Sequence, residues 1–307
     1  MRDVPPVKRP EIDALILANS PNIVKHGTAS GPHSERVSAG WGERNMPTTG
    51  QAPTKSKPSR FPECWDRISR AESNGESIGT DWGQLTQQDI YSQFTKDNGD
   101  GTVSLMIKGQ PLPPILSLKL GEVLYQLRAA LDGLIYQAIL LDEGGSITTK
   151  DYLGFPVCES EAAFKSNTNS SKLGKLADER KAIVESVQPY KSPSPRDTGL
   201  WMLNDLAKRD RHRRPHVVAC WIRDIEVKVT PKPKRVIKVI GSGYLEDELE
   251  LATVEPRDED VRKDFHANVV TPADIGIDGI SGGRLAEIIN SMSDAVSDVV
   301  IRFEDSF

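Results

Sequence analysis

Apolar residues recur every three or four positions in five stretches of the chain, the spacing that places them on one face of an α-helix. The most regular stretch follows the proline-rich run 110–114, where Ser117 is placed to cap a helix. Its apolar stripe consists of Leu120, Leu124, Leu127, Leu131, Leu134, Ala138 and Leu141. A second continuous stripe, from Leu285 to Phe303, predicts an amphipathic helix that closes the chain.

The other three helical stretches are less regular. One begins near Phe61, and Gly75 and Gly79 weaken the prediction that it forms one unbroken helix. Another is predicted over residues 172–188. The third begins at Leu200 and must end near Pro215, because proline lacks the amide hydrogen that a helix interior requires.

After Pro215 the apolar spacing changes from helical to alternating. Alternation over 225–229, 236–240, 249–254 and 265–270 predicts three or four strands of one antiparallel sheet. Earlier, DNGDG at 97–101 precedes an alternating stretch and predicts a β-hairpin near 97–110. The whole pattern is that of an α+β protein: a helical bundle with an inserted hairpin, then a small antiparallel sheet and a C-terminal amphipathic helix.

Composition divides the chain into three segments. Residues 1–60 hold 8 of the 21 prolines and a single aromatic residue, Trp41, so we expect a disordered arm. We expect the bundle over 61–216 and the strands with the closing helix over 217–307. The arm has 9 Lys and Arg against 5 Asp and Glu, so it carries +4 and leaves −9 on the rest of a chain of net charge −5. A basic arm can bind nucleic acid or another partner, but we favour the plainer explanation of a spacer or a start assigned too far upstream.

The apolar runs and the cysteines indicate the cellular compartment in which we expect the protein. The run ALILA at 14–18 is far too short to span a bilayer, and no later run approaches the necessary length. Cys64, Cys158 and Cys220 stand far apart without a CxxC pair, which argues against a zinc ribbon and a disulfide framework. We therefore expect a cytoplasmic protein with no membrane partner, no bound metal and no cofactor.

The sequence has no glycine-rich phosphate loop and no HExxH motif. A calcium loop beginning at Asp97 would need a bidentate glutamate at its twelfth position, which is Lys108. A pairing of Cys158 with a histidine stays open, although nothing marks this thiol as activated. His266 is expected at the start of a strand.

Arg128 and Asp132 stand four residues apart on the flank of the most regular apolar stripe. Either charge alone would be costly to desolvate there. Two explanations are open. The two residues pair with each other or cap a neighbouring element, or one of them faces a groove shared with the basic run described next.

Residues 208–214 of the run LAKRDRHRRPHVV carry +4 in a chain that is acidic overall. Cations favour the negative end of a helix dipole, but one or two would suffice where five are present. So dense an arginine cluster also suits a phosphate-bearing ligand. The third explanation is catalysis, in which Arg209 or Arg211 holds a phosphate while His216 moves a proton.

Arg211 followed by His216, or Arg209 and Asp210 followed by His216, resembles the R-x(4–6)-H signature of HEPN-type ribonucleases. The resemblance implies a small helical bundle that dimerises and cleaves RNA without a metal. Arg211 would position the phosphate, and His216 or His212 would act as general acid and base. Many HEPN proteins serve in toxin–antitoxin or antiviral systems.

A second resemblance covers about residues 61–307. Four motifs carry it: LGEVLYQLRAALDGLIYQA at 120–138, FPV at 155–157, QPY at 188–190 and LNDLAKRDRHR at 203–213. Together they are similar to an uncharacterised family of bacterial and phage proteins. This resemblance favours His212 over His216 as the functional imidazole. The polar positions that it singles out are Arg128, Asp132, Asp210, His212 and Arg213.

Two hypotheses of different classes follow. In the first, the protein is a non-enzymatic binding or structural protein, associated with phage or defence functions, with a buried polar network that joins two helices. In the second, it is a HEPN-like endoribonuclease with Arg211, His212 and His216 as catalytic residues. The partners expected are RNA or another phosphate-bearing ligand and a second copy of the chain. The candidate binding residues are Arg128, Asp132, Arg209, Asp210 and Arg213.

Overall fold

The computed structural model describes eleven segments of the chain. The four longest are 59–87, 91–142, 153–212 and 284–307. The shorter segments are 220–222, 226–230, 232–239, 243–245, 248–257, 266–270 and 273–277. Most of the predicted arm lies outside the described residues, and so do Arg213, His216 and the side chain of His212.

Helices dominate the first half of the described chain and return at its end. They are α1 (Pro62–Leu85), α2 (Pro114–Asp142), α3 (Glu161–Phe164), α4 (Asn167–Lys172), α5 (Asp178–Ser186), α6 (Gly199–His212) and α7 (Leu285–Asp305). Two short 3-10 turns, Pro189–Lys191 and Pro195–Asp197, connect α5 to α6.

The strands form antiparallel ladders. They are β1 (Tyr91–Asp97), β2 (Val103–Gly109), β3 (Cys220–Ile222), β4 (Glu226–Thr230), β5 (Arg235–Val239), β6 (Gly243–Leu245), β7 (Glu248–Glu255), β8 (His266–Val270) and β9 (Ala273–Ile275). One sheet has the order β1-β2-β7-β5, a second β6-β3-β9, and a third pairs β4 with β8. Mixed helices and antiparallel strands confirm the predicted α+β class.

The hairpin and the later strands combine differently from the prediction. β1 and β2 do form a hairpin, with Tyr91 opposite Gly109, and Gly99 and Gly101 adopt positive φ angles in its turn. However, β2 also pairs with β7, which places Val103 opposite Val254. A lone hairpin is marginally stable in water, and the added strands let β2 bury Val103, Leu105 and Ile107. Among the described residues, the later strands therefore belong to three sheets rather than to one.

Packing and local backbone geometry correct three helix predictions. α1 runs unbroken through Gly75 and Gly79, both of which are buried, so tertiary packing outweighs their low helix propensity. α2 begins at Pro114, three residues before Ser117, because proline is tolerated in a first helical turn. The helix predicted over 172–188 is wrong in extent. Gly174, with φ +47°, lies just after the end of α4 and separates it from α5.

α2 packs in the bundle against α1, α6 and α7. Its predicted apolar stripe is buried from Leu120 to Ala138, whereas Leu141 is exposed. α1 lies antiparallel to α2, as three contacts show. The Cys64 thiol donates to the Ala130 carbonyl (3.4 Å), Arg67 donates to Gln126 (3.1 Å), and Lys119 donates to Ser77 (2.7 Å). Among the described helices, none combines the length and the apolar character needed to cross a membrane.

Candidate functional site

Arg128 and Asp132 bind each other and the backbone of a neighbouring segment. The Arg128 Nη2 donates to Asp132 Oδ1 at 2.9 Å, and the same oxygen accepts the amide hydrogen of Phe155 at 2.9 Å. Arg128 also donates to the carbonyl of Phe155. The pair thus holds both backbone groups of one residue, and Gly154 leaves room for the Asp132 carboxylate, which a Cβ there would meet at 3.1 Å.

Gln188 holds the same segment from the other side. Its side chain is buried, and its Nε2 donates to the carbonyls of Pro156 (2.8 Å) and Val184 (2.9 Å). Its Oε1 accepts the amide hydrogen of Cys158 at 2.9 Å. Both ends of the side-chain amide are therefore engaged by backbone groups. Three of the four motifs in the second resemblance meet here, because Arg128, Phe155 and Gln188 belong to one each.

The fourth motif meets the first at a different place. Asp210, near the end of α6, packs against Gly121 of α2, where a Cβ would lie 3.2 Å from both carboxylate oxygens. Gly121 precedes Arg128 by seven residues, or two helical turns and about 10.5 Å along the same face. The described contacts thus bring Arg128 together with Asp132 and place Asp210 two turns away.

The described arginines of the basic run form contacts within their own helix. Arg209 pairs with Asp205 at 2.7 Å, and the Nε of the exposed Arg211 donates to the carbonyl of Ala207 at 3.2 Å. The second contact folds the Arg211 side chain back along α6 towards the preceding turn. Of the three predicted catalytic residues, Arg211 is the one whose side chain the structure describes.

A groove of about 730 Å³ runs over the outer face of α2. We call it the α2 groove. Arg70 and Asn74 of α1 form one wall, Asp210 of α6 forms part of the other, and α2 forms the floor. The floor consists of Ile115, Ser117, Leu118, Gly121, Glu122, Tyr125 and Gln126.

Three large apolar side chains lie open to solvent on this floor. Ile115 is 46% exposed, Leu118 57% and Tyr125 64%. The sequence interpretation missed them because it followed only the buried leucine stripe of α2. Their spacing, at i, i+3 and i+10, is the signal that could have identified a second apolar face.

Burial disfavours ionisation of the described thiols. It raises the pKa of Cys64 to about 12, with the nearby Glu63 adding to the effect. Burial likewise raises the pKa of Cys158, although Lys172 and Lys208 oppose it. Desolvation and the adjacent Glu185 raise the pKa of the Tyr190 hydroxyl to about 12. These groups are poor nucleophiles at neutral pH. The described residues also contain no cluster of three or more His, Cys, Asp or Glu suited to a metal.

A buried arginine that the sequence did not single out joins three elements. Arg180 of α5 is paired with Asp142 at the end of α2, and its Nη1 donates to the carbonyl of Ser306 at 3.0 Å. Its guanidinium also lies 3.8 Å from the centre of the Phe307 ring. Burial lowers the pKa of this guanidinium. The cluster joins the ends of α2 and α7 and is a structural one.

In comparisons with known proteins, no family model, curated protein or solved structure matches the chain.

Proposed function

We propose that the chain is a non-enzymatic binding protein and that the α2 groove receives a helix of a protein partner. One observation carries the proposal: Ile115, Leu118 and Tyr125 expose large apolar surfaces on the floor between two walls with polar side chains. Large exposed apolar side chains grouped in one groove suit an interaction site. An apolar floor with helical spacing suits the apolar face of an amphipathic helix.

The polar residues of the motifs serve a different purpose. Arg128, Asp132 and Gln188 bind backbone groups of 155–158 and therefore support the fold. The apolar side chains of the α2 groove, by contrast, remain exposed in the folded chain. A role in recognition accounts for these side chains, whereas stability alone does not.

The dimensions and charges of the α2 groove suit a short helix. Its floor runs from Ile115 to Gln126, which is about 17 Å or three helical turns. Arg70, Glu122 and Asp210 provide charges of both signs along the lining. These charges would orient the partner while the apolar floor supplies the contact area.

Site-specific photo-crosslinking tests the proposal because it captures the protein that lies against the groove. A benzophenone amino acid replaces Leu118 in the full chain in its native cell, and the exposed Glu76 on α1 serves as the control position. We expect position 118 to form an adduct with one defined protein, attached through the apolar face of a helix. The proposal fails if position 118 yields no protein adduct, or the same adducts as position 76.

RNA binding with cleavage is the second candidate. Lys208 and Arg211 are exposed on the last turn of α6, beside Asp210, which lines the α2 groove. Exposed cations at that place suit a phosphate backbone, as the HEPN resemblance implies. Here Arg211 holds the phosphate, and His212 or His216 moves the proton.

Incubation of the purified chain with mixed RNA decides between the two candidates. The matched control is the Arg211→Ala/His212→Ala/His216→Ala variant. We expect no cleavage by either protein. Cleavage by the unmodified chain that the triple variant lacks would replace the binding proposal with the ribonuclease.

The cellular setting is proposed on narrower grounds. Cys64 and Cys158 are both free thiols, as a reducing compartment favours, so we propose a cytoplasmic location. The motif resemblance supports a phage or defence setting. Fractionation of cells that contain the chain tests the location.

A further inference from the structure

The exposed apolar face of α2 continues beyond the α2 groove. Tyr136, which is 48% exposed, lies on the same face as Ile115, Leu118 and Tyr125. Between Tyr125 and Tyr136 the centre of this face carries the small residues Ala129 and Gly133, and Asp132 lies at its edge, where it binds the backbone of Phe155. A Cβ on Gly133 would meet nothing closer than Gln137 Nε2 at 3.9 Å, so the surface is open there. We call the whole face, from 115 to 140, the α2 stripe.

The α2 stripe is complementary to itself when two copies pair antiparallel. In a two-fold arrangement centred near residue 127, Tyr125 lies opposite Ala129 of the other copy, and Glu122 lies opposite Gly133. Large side chains thus face small ones at the centre. Towards the ends, Leu118 meets Tyr136 and Ile115 meets Leu140, so apolar side chains face each other.

We propose that the helix received by the α2 groove is α2 of a second copy of the chain, in this antiparallel two-fold register. The inference rests on the proposed function of the α2 groove and names its partner. A two-fold interface uses the same patch on both copies, so the patch must complement itself. The alternation of large and small residues along the α2 stripe meets that requirement.

The exposed apolar side chains alone supply about half of the area that a standard dimer interface buries. Residues 115–140 span about 39 Å of helix. The four exposed side chains Ile115, Leu118, Tyr125 and Tyr136 offer on the order of 400 Å² per copy. A standard interface needs about 800 Å² from each partner. Arg70, Asn74, Glu122 and the wall formed by Asp210 lie where they would supply further area.

Thiol crosslinking tests both the dimer and its register. The Leu118→Cys/Tyr136→Cys variant, in a Cys220→Ser background, is treated with a short bismaleimide. We expect a covalent dimer, because each new thiol faces the other position of the second copy. Cys64 and Cys158 are buried and have raised pKa values, so they should not compete at neutral pH.

The single variants are the matched controls for the register. In Leu118→Cys alone, the two equivalent thiols are about 27 Å apart along the helix axes, beyond the reach of the reagent. The same separation applies to Tyr136→Cys alone. We expect neither to crosslink by itself, whereas a mixture of the two should. Equal crosslinking by the single variants, or none by the double variant, would overturn the register.

Sedimentation velocity of the full chain measures the affinity. We expect Gly133→Leu to raise the dimer dissociation constant at least tenfold, because the added side chain occupies the space opposite Glu122. Gly83→Leu adds the same side chain to α1 at a site with no atom within 4 Å of the new Cβ, and it should leave dimerisation unchanged. Thermal unfolding of both variants verifies that they fold. A monomeric unmodified chain, or equal effects of the two variants, would reject self-association.

The outcomes for the two proposals differ. A monomeric chain whose position 118 crosslinks to a helix of another protein rejects self-association and keeps the function proposed for the α2 groove. A chain that forms no protein adduct at position 118 rejects both.

Discussion

Single glycines decide how closely the helices of this protein approach one another. Gly121 lets the Asp210 carboxylate lie directly on α2, and Gly154 gives Asp132 access to the backbone of Phe155. Gly199, the first residue of α6, lies against α7, where an added Cβ would overlap the carbonyl group of Ser291. Glycine is needed at these three positions because a Cβ would collide with a neighbouring group, and not because the backbone has a positive φ angle.

Replacement of Gly199 tests this requirement. We expect Gly199→Ala to lower the free energy of unfolding by about 2 kcal/mol or more, because the backbone of α6 or α7 must shift. Urea denaturation measures the change.

Gly83→Ala is the matched control, since a Cβ at Gly83 meets no atom within 4 Å. Its better helix propensity should leave stability unchanged or raise it by up to about 1 kcal/mol. Equal destabilisation by both variants would show that the contact between α6 and α7 is not the cause.

The extended segment that includes residues 154–158 is the element on which three sequence motifs converge. It lies between the Arg128–Asp132 pair of α2 and the buried Gln188, and both bind its backbone groups. The motifs therefore describe one structural unit. The spacing of four in the sequence made a pair between Arg128 and Asp132 one of the explanations left open. Sequence alone could not find their third partner, because Phe155 is distant in sequence and contributes only backbone groups.

Loss of the Gln188 side chain should weaken this unit. We expect Gln188→Ala to cost about 2–4 kcal/mol, because the amide of Cys158 and the carbonyl of Pro156 would be left buried without partners. Amide exchange at Cys158 should accelerate in parallel.

The control for this prediction is Gln84→Ala, since Gln84 is exposed near the end of α1. That change should alter stability by less than about 0.5 kcal/mol. A similarly small effect of Gln188→Ala would contradict the role given to this side chain.

Helices with long apolar stripes were the elements that sequence predicted best. α2 and α7 appear where their stripes indicated, because many residues share each pattern. The three-residue strands β3, β6 and β9 are too short to show alternation. The division between α4 and α5 depends on the backbone of one residue, Gly174, which a search for apolar spacing does not register.

In the molecule as a whole, the polar contacts that support the fold and the exposed apolar surface are formed by different residues. Composition and periodicity predicted the α+β class, because burial of apolar faces decides it. They did not predict the α2 groove, whose walls come from α1 and α6, distant in sequence from its floor on α2. The polar residues that drew attention in the sequence support the fold where their partners are described, and the proposed recognition surface is apolar.

The most direct test of the α2 groove as the recognition surface is the photo-crosslinking yield at position 118 in a chain that also carries Tyr125→Glu. Tyr125 is exposed, so the change should leave the thermal midpoint within about 2 °C of the unmodified value. The account predicts that the protein adduct formed from position 118 is lost, because a carboxylate then stands on the apolar floor. An unchanged yield of that adduct in the folded variant would contradict the assignment of the α2 groove as the recognition surface.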